Sequence, residues 1–257
     1  MAISTVLYFN GTLIEGVISW GETRDSRIEA ETIPRRHGAY VDAKQYLDPR
    51  TIDIKGKIVK NTVDDLRTSL DALNELIETG RGALMLHDDR FLYAEKQNFT
   101  FDYIDGTRGA GIIYDLSFMA DDPFYYALSP VSQDITLSGS GSEAITIALD
   151  EHGAPIAVAG NADCDPVITI TPSGSYTEII LINNQGDIER RFSFVAAGSS
   201  GDEIMINAID KLCFRNGINA LSYFYGSFFQ LRAGEINPLV YSGPAGTMKV
   251  EYRPRYF

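Results

Sequence analysis

The sequence predicts a mainly β protein with one helix, laid out as two domains, and three observations predict it. Short runs rich in β-branched and aromatic residues recur along the chain, separated by Gly, Asp, Asn and Pro. One stretch, residues 62–79, departs from them with a 3.6-residue apolar period. The segment ADDPFYYALSP, residues 120–130, then breaks the pattern with Pro123 and Pro130, which lack a backbone donor and push the preceding residue out of helical geometry. We place the domain division there, giving 1–125 and 126–257.

In the first domain, strands are expected at 5–9, 12–19, 51–59, 83–87, 90–94, 97–103 and 112–120. The helix between them gathers Val63, Leu66, Leu70, Leu73, Leu76 and Ile77 on one face, ready to pack on a sheet. Asn61 or Thr62 is placed to cap its free amides, Asp64 and Asp65 complement the dipole in its first turn, and Gly80 suits the left-handed residue after its end. In the second domain the expected strands are 133–137, 144–149, 166–171, 177–182, 190–195, 203–207, 210–215, 228–232 and 246–252. SGSGS, TPSGS, NNQGD and AAGSSGD break them, Asn184, Gln185 and Gly186 form a hairpin tip, and Pro238 ends the strand before it. So many short strands at this spacing indicate an antiparallel sandwich.

Composition excludes several functions. With 22 Lys and Arg against 35 Asp and Glu, the net charge is −13 in 257 residues. A protein that grips nucleic acid through its phosphates needs the opposite balance. The charge is dispersed, −7 over residues 1–130 and −6 over 131–257, so neither half is a basic module and neither has an acidic tail. No apolar run approaches the roughly 18 residues that span a bilayer. MAISTVLYFNGTLIEG lacks the basic start of a secretory leader, so a protein soluble when made is expected, with Cys164 and Cys213 as reduced thiols.

Motifs for chemistry are missing too. His37, His87 and His152 are far apart in sequence, with no HExxH and no Cys or carboxylate at metal-ligand spacing. There is no GxSxG elbow and no GxxxxGK[ST] loop. Asp88 with Asp89, and Asp121 with Asp122, are adjacent carboxylates; in a strand such neighbours point to opposite faces, so turn and edge roles are expected of them. No enzyme, cofactor or metal site is predicted.

The distinctive feature is the aromatic density of LSYFYGSFFQLRAGEINPLV, residues 221–240. Phe229 and Leu231 are expected in the sandwich core, with Gly226 and Gly234 making turns. Tyr223 and Tyr225 are candidate surface aromatics, which would stack on sugar rings if this were a glycan-binding face.

Residues 209–257, IDKLCFRNGINALSYFYGSFFQLRAGEINPLVYSG followed by GTMKVEYRPRYF, resemble the closing signature of the distal tail proteins of long, non-contractile-tailed bacteriophages. Asn216 and Gly217 stand at its polar turn, Gly226 precedes its aromatic pair, and Phe228, Phe229, Leu231 and Gly234 match its "FFxLxxGxN"-like core. Asn237 is displaced from the last position by Glu235 and Ile236. PRRHGAY (34–40), LDPRTIDIKGKI (47–58), the single helix, GRGAL (80–84), DDRFLYAE (88–95) and ADDPF (120–124) follow in the family's order, so the resemblance spans essentially the full length.

The resemblance implies a structural protein of the virion tail tip, made in the host cytoplasm. A β-sandwich or barrel-like N-terminal domain with one helix would build a hexameric ring, and a galectin-like C-terminal sandwich would project outward. Its partners would be the major tail protein, the tail-associated fibre or lysin hub and, in some relatives, receptor-binding proteins, with DNA passing through the ring unbound. The 127-residue second half leaves room for no arm or added module. The competing expectation is a carbohydrate-binding sandwich that recognises host glycans.

Overall fold

The computed structural model describes residues 6–23, 26–27, 30–32, 39–41, 46–87, 89–139, 141–148, 155, 157–183 and 190–257. His37 and most of PRRHGAY, Asp88, His152 and the Asn184-Gln185-Gly186 tip lie outside these residues. The chain divides into two compact units, Met1–Tyr125 and Tyr126–Phe257.

In the first unit the strands are β1 (Tyr8–Phe9), β2 (Thr12–Leu13), β3 (Val17–Thr23), β4 (Arg50–Val59), β5 (Gly82–His87), β6 (Arg90–Tyr103) and β7 (Gly111–Ala120). They pair in the order β2-β1-β5-β6-β7-β4-β3, every pair antiparallel. The outermost members, β2 and β3, are joined only by Ile14, Glu15 and Gly16. That link reaches at most about 14 Å, whereas strands about 4.8 Å apart laid flat in this order would separate the two edges by nearly 30 Å. The sheet therefore curls into a barrel-like closure, fastened where Ile14 N–H donates to Leu7 O at 2.9 Å and Lys57 N–H donates to Gly16 O at 2.8 Å.

Two expected strands change here. Residues 12–19 are split, because Gly16 adopts φ +76° with its Cα against Lys57 O, where a Cβ would sit 2.1 Å away. Residues 90–94 and 97–103 are one strand, since an irregularity between Lys96 and Asn98 lets the ladder continue past the Gln97 break. Between β3 and β4, Ser26–Arg27 pairs antiparallel with Tyr46–Leu47 and Ala30–Thr32 with Ala39–Val41.

The barrel interior follows from alternation. Ile52, Ile54 and Ile58 on β4, Leu84 and Leu86 on β5, and Ile112, Tyr114, Leu116 and Phe118 on β7 are all buried, with Phe9 against Phe118 at 4.9 Å between ring centres. Gly56 occupies the same face of β4, directly across from Tyr114. The Tyr114 ring lies over it, so a Cβ there would come within 2.0 Å of Cζ. The phenol donates to Glu15 O at 2.6 Å, and burial, reinforced by Glu15, raises its pKa well above the usual tyrosine value.

The helix α1 (Val63–Ile77) buries Leu66, Leu70, Leu73 and Ile77, while Val63 is exposed. Thr62 is the cap, its Oγ1 accepting from Asp65 N–H at 3.1 Å. The helix closes on Glu78, so left-handed Gly80 (φ +83°) comes one residue later than expected. Lys96 donates to Glu78, and Asn10 Nδ2 donates to Thr79 Oγ1 at 3.0 Å, tying the C-terminal end of the helix to the strands.

The second unit is a sandwich of two antiparallel sheets. Its strands are β8 (Val131–Leu137), β9 (Gly141–Ile147), β10 (Val167–Pro172), β11 (Tyr176–Asn183), β12 (Arg190–Gly198), β13 (Ile204–Asn207), β14 (Leu212–Arg215), β15 (Ile218–Asn219), β16 (Phe224–Gly226), β17 (Asn237–Gly243) and β18 (Gly246–Tyr252). One sheet runs β8-β18-β10-β13-β14-β15, the other β9-β17-β11-β12-β16. Between them pack Ile168, Ile170, Ile204, Ile206, Met248 and Val250 from the first and Ile147, Ile179, Leu181, Phe192, Phe194 and Leu239 from the second. Cys164 and Cys213 are both free and buried in this core.

Two expectations fail in this unit. Residues 228–232 are not a strand: Gly226, at φ +111°, turns the chain off the sheet edge, and only Leu231 makes an isolated bridge, to Cys164. Pro238 does not end a strand but lies inside β17. It is tolerated because it faces only Thr146 of β9; pairing with β11 on the other side begins at Leu239.

Candidate functional site

The C-terminal segment is best understood from its turns. Asn216 (φ +52°) and Gly217 (φ +75°) form the β14–β15 turn. The side chain of Asn216 reaches back to the preceding loop, accepting from Glu203 N–H at 2.8 Å and donating to Asp202 Oδ1 at 3.0 Å. Gly226 ends β16 with its Cα over Arg191 O, where a Cβ would sit 2.1 Å away. Beyond that turn Phe228 stacks on Phe224 at 4.3 Å between ring centres, and Phe224 stacks on Phe192 at 5.6 Å. Phe229 and Leu231 are buried in the core. Gly234 (φ +73°) turns the chain again, its N–H donating to Val158 O at 2.8 Å.

Asn237, which departs from the signature's spacing, is fully buried and holds this last turn closed. Its Oδ1 accepts from Arg232 N–H at 2.8 Å, and its Nδ2 donates to Arg232 O at 3.0 Å and Glu235 O at 2.9 Å. The residues of the segment thus shape its turns and fill the sandwich core.

Two polar clusters went unread in the sequence. Asp202, in the loop read only as the AAGSSGD turn, is almost fully buried and accepts from Tyr176 Oη (2.9 Å), Ser199 N–H (3.0 Å), Arg215 Nη2 (2.7 Å) and Asn216 Nδ2 (3.0 Å). These bonds, led by that from Asn216, hold its carboxyl far below the usual carboxylate range, while burial and the bond to Asp202 push Tyr176 up to about 12. A carboxyl depressed on folding stabilises fully above its unfolded pKa of about 4 and loses that contribution as pH falls toward the folded value. Asp202→Asn is therefore expected to lower the stability of the second unit at pH 7 and to converge with the parent protein as both are taken below pH ~4; unfolding curves collected across that range check it. The nearby Asn-Gly pair at 216–217 was the available signal.

The second cluster is in the barrel. Buried Arg50 donates to Glu22 Oε2 and Pro123 O, both at 2.8 Å, and lies over the Tyr125 ring at 4.4 Å, while Tyr125 Oη donates to Glu22. It pins the Asp-Pro segment to β3 and β4. Asp122 Oδ1 accepts from Phe124 N–H at 3.3 Å and Asp121 pairs with Arg81 at 3.0 Å, so these carboxylates serve turn and edge. Asp89 pairs with the adjacent Arg90 at 3.3 Å. His87 sits between the rings of Trp20 and Tyr125. Among the described residues no three His, Cys, Asp or Glu side chains are grouped to hold a metal ion, and no helix is long and apolar enough to cross a membrane.

Tyr223 and Tyr225 are at the surface, 47% and 59% exposed, with Tyr223 edge-on to Phe194 at 6.0 Å. Tyr225 lies on edge strand β16 across from Ser193.

Family comparison finds one match in each unit. Residues 12–111 match the model of the phage tail protein RIFT-related domain, and residues 159–256 match that of the siphovirus-type tail component, C-terminal domain. The chain belongs to the siphophage distal tail protein family.

The two matches cover about three quarters of this family member, in the order its two units require. Its role is that of a structural component of a phage tail or baseplate. Among solved structures, the crystal structure of the phage SPP1 Dit (gp 19.1) protein, described as a paradigm of the hub adsorption apparatus in phages infecting Gram-positive bacteria, shares its fold. The TM-score is 0.73, at 16% identity over 98% of this chain and 99% of that one. A chain of the phage P2 baseplate, in its activated conformation with Ca, matches at TM-score 0.46 and 8% identity over 96% and 90% of the two chains, too remote to carry weight. No curated protein matches the chain.

Proposed function

We propose that six copies form a hub ring at the tail tip. The ring joins the major tail protein on one side to the tail-associated fibre or lysin hub on the other, and leaves an open channel for DNA. The observation that carries this reading is the succession of two tail-family domains along one chain. The net charge of −13 per subunit supports it, since like charge on a conduit wall repels phosphates within a Debye length of about 8 Å. The second unit would face outward to the adsorption apparatus and its receptor-binding proteins. Light scattering with negative-stain imaging, on the chain alone and with its tail-tube and hub neighbours, is expected to show sixfold rings. A chain that stays monomeric with both neighbours present would overturn the reading.

The exposure of Tyr223 and Tyr225 favours one other reading, a glycan-binding face on the sandwich. Calorimetric titration with host wall polysaccharide separates the two, because a purely structural hub gives no heat of binding.

A further inference from the structure

The sequence holds two Asn-Gly pairs, and the fold treats them alike. Asn10-Gly11 joins β1 to β2, with Phe9 across from Thr12, and Asn216-Gly217 joins β14 to β15, with Arg215 across from Ile218. All four residues have positive φ, +50° and +76° in the first pair and +52° and +75° in the second, the signature of a type I′ turn. Each asparagine is then tied by the same three bonds. Asn10 N–H donates to Ala83 O and its Oδ1 accepts from Ala83 N–H, both at 2.9 Å, while its Nδ2 donates to Thr79 Oγ1 at 3.0 Å. Asn216 N–H donates to Glu203 O and its Oδ1 accepts from Glu203 N–H, both at 2.8 Å, while its Nδ2 donates to Asp202 Oδ1 at 3.0 Å.

Asn-Gly is a chemically labile pair, because glycine has no Cβ to shield its nitrogen. That nitrogen can attack the asparagine Cγ: a C–N bond forms, the Cγ–Nδ2 bond breaks, and ammonia leaves with the glycine proton. Water then opens the cyclic imide, at one carbonyl to aspartate and at the other to isoaspartate. Nothing in water reverses the loss, so it accumulates with age. The folded turns oppose the attack. The first residue of a type I′ turn has ψ of about +30°, which carries the glycine nitrogen away from the asparagine Cβ, and Cγ cannot swing to meet it until the bonds at Oδ1 and Nδ2 break.

The partners of Nδ2 separate the two sites. A carboxylate oxygen in place of that amide would face Thr79 at the first, whose hydroxyl can turn its proton from Leu76 O to the new oxygen. At the second it would face Asp202 Oδ1, which has no proton to give, while Asp202 Oδ2 already takes the bonds from Tyr176, Ser199 and Arg215. Two carboxylates would then meet in a cluster that is almost fully buried.

We infer that Asn10 and Asn216 are deamidation sites that the folded units hold closed, and that conversion to aspartate is tolerated at 10 but weakens the second unit at 216. To test the first part, the chain is held in mildly alkaline buffer, native or in denaturant, and peptide mapping by mass spectrometry follows the amide-to-acid change at each site. Conversion in the native chain is expected to be at least about tenfold slower at both, since the two side-chain bonds contribute about fivefold each. Equal rates in the two conditions would overturn the proposal. For the second part, Asn216→Asp is expected to lower the denaturant midpoint of the second unit, followed by hydrogen exchange, and Asn10→Asp to leave that of the first unit near the parent value. Aspartate accepts the left-handed backbone as asparagine does, so only the donor and the charge change. Asp202→Asn, destabilising in the parent chain, should restore stability in the Asn216→Asp background, because an amide nitrogen in place of Oδ1 donates to the carboxylate at 216. An Asn216→Asp chain as stable as the parent, or one that Asp202→Asn weakens further, would overturn the assignment at 216. An Asn10→Asp chain that loses as much as Asn216→Asp would overturn the distinction between the sites.

Discussion

Gly56→Val unfolds the barrel while leaving the sandwich intact. The substitution drives side-chain atoms into the Tyr114 ring, where even a Cβ lies 2.0 Å from Cζ, and Tyr114 is held in place by neighbours on every side and by its bond to Glu15 O. Overpacking a well-filled core costs about 1–3 kcal/mol and more where nothing can move; we expect at least the upper figure, a large share of the ~5–15 kcal/mol that holds a domain. The measurement is clean because Trp20, the single tryptophan, belongs to the first unit and contacts His87 within it. Its fluorescence reports denaturant unfolding of the barrel alone. Gly21→Ala is the control: no atom lies within 4 Å of the added Cβ, and its midpoint should stay close to the parent value.

Asn237→Leu is expected to do the reverse. The leucine keeps the asparagine's branched, four-heavy-atom shape but strips partners from Arg232 N–H, Arg232 O and Glu235 O at a fully buried position. Each buried polar group left without a partner costs about 1–3 kcal/mol, so a loss of roughly 3 kcal/mol from the second unit is expected. Trp20 fluorescence should not register it. Hydrogen exchange should, through lost protection of Gly234 N–H and of the Cys164–Leu231 bridge that the closed turn supports.

The pattern of what could be read in the sequence is instructive at these same residues. The class of the fold and the helix were legible because alternation and a 3.6-residue period are local properties: Ile52, Ile54 and Ile58 announce an inner face wherever their strand pairs. Arg50 shares that parity and could have been read as a buried cation. Its partners Glu22, Pro123 and Tyr125 could not, because they are brought to it from 28 to 75 positions away in sequence. Tyr114 over Gly56 and Tyr176 over Gly198 are likewise facts of register, each a ring covering a glycine directly across the ladder. Within the closing segment, Phe229, Leu231 and the two glycines stood out by residue type. Asn237 was read as a departure from a pattern, and its three bonds explain why an asparagine is useful where it stands. Asp202 was hidden because a loop rich in Gly and Ser announces a turn and says nothing about which distant donors will converge on it.

The three-residue link that closes the barrel also imposes an order in time. One of the sheet neighbours of Tyr8 and Phe9 is β5, at Met85 and Leu84, and the other edge of the closure waits for β4. As the chain is synthesised, β1 cannot complete its place in the barrel until nearly eighty more residues have followed. Such long-range pairing is the slow kind. Until it is complete, Phe9, fully buried in the finished barrel, lacks the strands that cover it, and premature contact between neighbouring nascent subunits is the hazard this topology carries into assembly.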